Sequence, residues 1–129
     1  MNILSARLNF AFLCDYASVS REGKLSLNGI FENINTRALP MHHPLMYVVA
    51  NVSGAHEGDR FTCEITPQDN PALKVAAIAS QVNIDTQQRF GFIGQFVNVR
   101  YELAGAYFMK FYIDNKELGS LTFFVRLMA

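Results

Sequence analysis

Cys14 and Asp15 stand side by side in the segment CDYASVS, and two adjacent histidines, His42 and His43, follow in PMHHP. Together these are the raw material of a nucleophile site. An imidazole takes the thiol proton, a carboxylate orients the ring, and the thiolate attacks. Such a cysteine needs a lowered pKa and an open approach, from a helix N-terminus or a nearby cation. Cys14 instead alternates with Leu8, Phe10, Phe12 and Tyr16 at the two-residue period of a strand. It is read as a core thiol, where burial makes the proton harder to remove. Asp15 points to the other face and is assigned to accept backbone N–H groups of the following turn. Tyr16 is expected to bury its ring and bond the main chain through its hydroxyl.

Metal chemistry would have to come from His42, His43, His56, Glu57 and Asp59. There is no Cys-x-x-Cys and no His-x-x-x-His, and the chain has only three histidines. Adjacent histidines in extended chain diverge, and the two carboxylates of AHEGDR are too few for calcium. Gly91 and Gly94 sit in a strand-like run with no Lys-Ser or Lys-Thr after them, so no phosphate loop is formed. The 11 acidic residues lie mostly in turns and single out no pair for glycoside chemistry. The expectation is a protein with no catalytic residues, no metal and no cofactor.

The elements that would position these side chains are strands. RLNFAFLCDY alternates, with Leu8, Phe10, Phe12, Cys14 and Tyr16 assigned to the core face. SREGKLS is a turn with Gly23 free to take a positive φ. KLSLNGIF is a second strand, which ENINTRAL extends after a bend. Pro40 and Pro44 exclude PMHHP from a regular sheet interior. LMYVVANV is apolar on both faces, which places it centrally in its sheet. RFTCEIT alternates Phe61, Cys63 and Ile65 against polar residues. Residues 72–84 fit both helical and strand spacing, and the β-branched content favours a strand. In RFGFIGQFVNVRY the apolar phase changes from Phe90, Phe92 and Phe96 to Val97, Val99 and Tyr101, which calls for a bulge near Gly94 or Gln95. GAYFMKFYI and LGSLTFFVRL form a terminal hairpin around an Asp-Asn turn. Eight or nine short strands over residues 1–129 predict one all-β domain, an antiparallel β-sandwich of immunoglobulin-like architecture.

The 129 residues include 11 basic and 11 acidic ones, with no basic run. That balance argues against nucleic acid and against electrostatic membrane binding. The longest wholly apolar run of the amino-terminal segment, Phe10 to Cys14, is too short for an export leader, and no stretch approaches a membrane span. A cytoplasmic location follows as the expectation, with Cys14 and Cys63 as free thiols.

The segments FAFLCDYA, GKLSLNGIFENI, the two prolines flanking the histidines before LMYVVANV, and GAYFMKFYIDNKELGSLTFFVRL resemble an uncharacterised bacterial family of small β-rich proteins, a domain of unknown function. The resemblance spans nearly the whole chain and is weakest from Gly54 to Gln88. It implies a single β-rich domain and no activity, ligand or catalytic residue.

The functional expectation is an interaction or scaffold module that pairs with itself, a homodimer being the simplest form, or with another protein. Half of the residues are hydrophobic and only 17% are charged, below the usual quarter, so apolar surface is available for a partner. The expected surface is the outer face of the terminal hairpin: Phe108, Lys110, Tyr112, Phe124 and Arg126. The competing reading of that set has the two cations lying over isolated rings. A small-ligand site lined by Tyr47, Tyr101 or Tyr107 is the alternative function, with an enzyme of unrecognised type behind it.

Overall fold

The structure, a computed structural model, describes residues 5–129; the first residues of the segment weighed as an export leader lie outside them. Among the described residues nine strands form: β1 (Arg7–Val19), β2 (Leu25–Ile30), β3 (Asn33–Thr36), β4 (Met41–Ser53), β5 (Arg60–Pro67), β6 (Ala76–Gln81), β7 (Arg89–Tyr101), β8 (Gly105–Ile113) and β9 (Lys116–Leu127). They build a sandwich of two sheets, one ordered β2-β1-β4-β7 and the other β3-β9-β8-β5-β6. Neighbouring strands are antiparallel except β3 and β9, which run parallel and make the second sheet mixed. The reason is a change of sheet. The chain leaves β2 in the first sheet and enters β3 in the second, so ENINTRAL starts a new strand and does not extend β2.

The core lies between the sheets. Met46, Val48, Ala50 and Val52 of β4 and Phe90, Phe92 and Phe96 of β7 face Phe61, Cys63 and Ile65 of β5 and Tyr107, Met109, Phe111 and Ile113 of β8. The Phe61 ring lies 5.2 Å from Phe90 and 4.9 Å from Phe92, centroid to centroid, joining the two layers. Residues 76–81 are strand, settling the ambiguous segment; β-branched side chains suit a pleated surface better than a helix.

The first sheet departs from the alternating pattern at three places, and β8 shifts register against β9 between Phe111 and Tyr112. A register shift between Leu8 and Phe10 inverts the phase of β1. Leu8, Ala11 and Leu13 therefore pack on the core, while Phe10 and Phe12 point outward. Second, β4 begins at Met41 and carries Pro44 inside it. The first sheet accommodates the proline because the β7 residue opposite, Asn98, turns away with φ 52. Third, the phase change of β7 sits at that same Asn98, not near Gly94 or Gln95, so Val97 is exposed and Val99 and Tyr101 are buried.

The terminal hairpin forms as its turn chemistry demands. Asp114 and Asn115 both take positive φ, 47 and 70, which is the two-residue turn that matches strand twist. Tyr107, Met109, Phe111, Ile113, Phe123 and Val125 are buried as expected, whereas Leu127 is exposed at the strand end.

Candidate functional site

The residues with nucleophile chemistry separate on folding. Cys14 is wholly buried, packed with Ala17 and Val49 and flanked by Leu27 and Tyr47. This cluster lies on the outer face of the first sheet and not in the main core, because the rest of β1 and β2 curls back over it. A single cleft is lined by Phe10, Asn51 and Gly91 together with Val19, Gly23 and Leu25 from the far end of the β1–β2 hairpin. Fully extended, the chain from Phe10 to Val19 would reach about 30 Å. A sharp bend must bring the ends together, and it falls where Gly29 takes φ 69 against the Asp15 side chain. Burial pushes the Cys14 thiol above its ordinary pKa, and the Asp15 charge adds to the shift although the Tyr16 backbone opposes it. Cys63 is raised further, by burial.

Asp15 does not fasten the following turn. Ser20 does: its hydroxyl accepts the Lys24 N–H at 3.0 Å and its carbonyl accepts the Gly23 N–H at 2.9 Å. Asp15 instead borders a shallow recess with Phe31, Met41 and His43. The His43 ring meets Phe31 edge-on at 6.1 Å, and burial lowers its pKa while the Asp15 charge opposes the shift. Tyr16 is half exposed, its ring T-shaped against Tyr47 at 5.3 Å, since its strand lies on the curled flap and not in the core.

The metal candidates serve the backbone. Asp59 accepts the His56 N–H at 2.8 Å, and Glu57 accepts the Ile84 N–H at 2.8 Å, so both carboxylates tie down the β4–β5 loop. Among the described residues no three His, Cys, Asp or Glu side chains gather closely enough to hold a metal. The tyrosines proposed for a ligand pocket also separate. Tyr101 is buried in the core, Tyr107 borders an end cavity of about 160 Å³, and Tyr47 lies on the outer face of the first sheet.

The terminal-hairpin set lies on the outer face of the second sheet, as its alternation requires. There Lys110 Nζ stands 5.5 Å from the Phe108 centroid and Arg126 Cζ stands 5.8 Å from the Phe124 centroid. Glu64, beside Lys110 in the register, pairs with Lys74 at 3.2 Å. This face is charged, and its Phe124 ring stays 36% exposed beside Arg126.

The outer face of the first sheet carries more such side chains. Phe10, Phe12, Leu45, Ile93 and Val97 all stay more than a third exposed, Val97 at 62%. They come from β1, β4 and β7, and the register sets them beside one another: Phe12 opposite Val49, Val49 opposite Ile93, Leu45 opposite Val97. At one margin Asn9 donates to Asn51 at 2.8 Å and to Ser53 at 2.6 Å, and between the Leu45–Val97 and Val49–Ile93 pairs Gln95 donates to the Tyr47 hydroxyl at 3.2 Å. Where the flap meets this face the cleft encloses about 560 Å³, walled by Phe10, Val19, Leu25 and Ile93 with Asn83 and Asp85 at its polar side. The sequence carried a signal for this face in the apolar run FAFLC. Reading the run with an unbroken period of two hid it, because the shift at Leu8–Phe10 reverses which side is buried.

The described residues include no helix long and apolar enough to cross a membrane. Among solved structures, one of the Pseudomonas fluorescens alkylpurine DNA glycosylase AlkC, bound to DNA containing an abasic site analog, aligns with TM-score 0.54 at 9% identity, covering 94% of this chain. This chain spans 30% of that glycosylase's length, and the likeness concerns the fold alone. The sensor domain of the anti-sigma factor RsgI4 of Pseudobacteroides cellulosolvens aligns with TM-score 0.44 at 10% identity, over 72% of this chain and 98% of that one. Bifidobacterium dentium beta-glucuronidase aligns with TM-score 0.43 at 7% identity, over 95% of this chain and 18% of that one. No curated protein matches the chain significantly. A family model, however, matches residues 9–126, nearly all of the sandwich from β1 to β9, and the chain therefore belongs to DUF6941, a family of unknown function.

Proposed function

We propose that this domain is a non-enzymatic, cytoplasmic protein-interaction module that associates with a second copy of itself. One observation carries the reading: the outer face of the first sheet keeps Phe10, Phe12, Leu45, Ile93 and Val97 accessible, on either side of the Gln95–Tyr47 pair. Exposed apolar groups of this kind, rimmed by polar side chains, are what association surfaces offer. The chemistry of the buried groups agrees. Both thiols are held protonated by burial, and the carboxylates beside His56 bond backbone amides. Light scattering at tens of micromolar tests the reading, with a dimer expected; a monomer at that concentration overturns self-association. Phe124→Glu provides the comparison on the opposite sheet. A dimer lost in this variant assigns the interface to Phe108, Lys110, Tyr112, Phe124 and Arg126 instead.

The cleft beneath the flap favours a second reading, a small-ligand site with an apolar body and a polar margin at Asn83 and Asp85. Binding of the apolar dye ANS to the native protein, abolished by Val19→Arg, would support it. Dye binding unchanged by that variant would remove it.

A further inference from the structure

We infer that the contact between copies is an edge-to-edge pairing of β7 with the β7 of a second copy, antiparallel about a two-fold axis near Gln95. The inference rests on the self-association just proposed and says where it happens. Among the described residues β7 is the end strand of the first sheet, bonded to β4 on one side only. It is 13 residues long, whereas the other edges are shorter: β2 and β6 have six residues each and β3 four. Natural edges are blunted by charge, proline or a twist that spoils pairing. β2 is distorted at Gly29. From Phe90 to Val99, β7 has no charge and no proline, and its register with β4 runs unbroken from Arg89 to Val97.

The direction of its free backbone groups follows from one end. The Arg89 carbonyl accepts the Asp85 N–H at 2.8 Å, and the Arg89 N–H donates to the Asp85 carboxylate at 3.0 Å. Both groups of Arg89 therefore face away from β4. Alternation along a regular strand then turns the N–H and C=O of Gly91, Ile93, Gln95 and Val97 outward as well. On the inner side β6 supplies Ile78 against Gly94 but belongs to the other sheet and does not bond this edge.

Three features select a second copy over an unrelated strand. An antiparallel pair of identical strands satisfies both edges at once and closes under two-fold symmetry, so no further edge of β7 remains to propagate a fibre. A centre at Gln95 uses the uncharged stretch Gly91–Val99 symmetrically and sets Ile93 opposite Val97 twice, flanking a Gln95–Gln95 pair. The only charges on the strand, Arg89 and Arg100, fall outside this stretch; Arg89 then lies near Arg100 of the second copy, whose charge is already paired with Glu102 at 2.7 Å. The merged sheet also joins the two apolar outer faces through Ile93, Val97 and Leu45.

Amide exchange read residue by residue at low and high protein concentration tests this. The amides of Gly91, Ile93, Gln95 and Val97 should slow at least about tenfold as the dimer forms, while Phe92 and Phe96, already bonded to β4, stay unchanged. Gln95→Pro removes an outward N–H that the β4 ladder does not use, so the fold tolerates it. It should raise the dimer dissociation constant roughly thirtyfold or more, as loss of an interface hot spot does. If Gln95→Pro does not fold, Val97→Lys, at an exposed side chain, carries the same expectation. A wild-type monomer removes both the pairing and the function proposed above. A dimer whose odd-numbered β7 amides do not change, or one that survives both Gln95→Pro and Val97→Lys, overturns the edge pairing and leaves self-association standing.

Discussion

Several side chains sit in environments that make opposite demands on similar groups. The Tyr101 hydroxyl is buried with no hydrogen-bond partner among the described residues, whereas the Tyr107 hydroxyl donates to the Leu103 carbonyl at 2.6 Å. Tyr101→Phe should leave stability unchanged or raise it by about 1 kcal/mol, and Tyr107→Phe should lower it by about the same amount, as read from urea unfolding midpoints. Cys14 and Cys63 are free and wholly buried. Neither should label quickly with a thiol reagent until the protein unfolds, and Cys14→Ser should cost about 1–3 kcal/mol by burying a hydroxyl among Ala17, Val49 and Leu27. Rapid labelling of native Cys14 would restore the nucleophile reading. For His43, burial lowers the folded pKa below its ordinary 6.5, with Asp15 opposing. The unfolded chain then binds the proton more readily, so the contribution is fully present above about 6.5 and lost as pH falls through the depressed folded value. Unfolding midpoints should drop between pH 7 and pH 5, less so in His43→Gln and more so in Asp15→Asn. Equal pH profiles in all three proteins would show that His43 is not the group responsible.

Turn chemistry governs the elements. Asn115 holds φ 70 in the β8–β9 turn, a conformation glycine adopts without strain, and Asp114 accepts the Arg60 N–H at 2.9 Å. Asn115→Gly should therefore stabilise by about 0.5 kcal/mol and Asp114→Ala should destabilise by about 1 kcal/mol, measured by thermal unfolding. Opposite signs would mean that the turn is held by something other than its own residues. The turn of this hairpin was legible before folding, because Asp-Asn stands between two alternating runs, whereas the register shift between Phe111 and Tyr112 was not. The β1–β2 hairpin was legible only as far as its turn. Nothing in CDYA or LNGIF announces that Gly29 lets the pair bend over its own sheet and cover Cys14.

Most contacts of the whole molecule join distant parts of the chain: β1 to β4, β3 to β9, β5 to β8. Loop closure must precede most of the burial that rewards it, so refolding from denaturant should take milliseconds to seconds. Full recovery of the native signal within microseconds would contradict that topology. At this scale the division between sequence and tertiary structure is plain. Composition and two-residue periodicity determined the all-β class, the central position of β4, and the inward sides of β5 and β8, since each depends on which residues alternate along one strand. Tertiary structure decided which face of β1 is core, where β7 changes phase, that Pro44 lies within a strand, and which sheet presents an apolar outside. A single bulge inverts every side chain beyond it. Whether a bulge forms depends on what the neighbouring strand places opposite, Val52 and Asn51 across from Leu8 and Phe10, Pro44 across from Asn98, and a strand does not carry its neighbour in its own sequence.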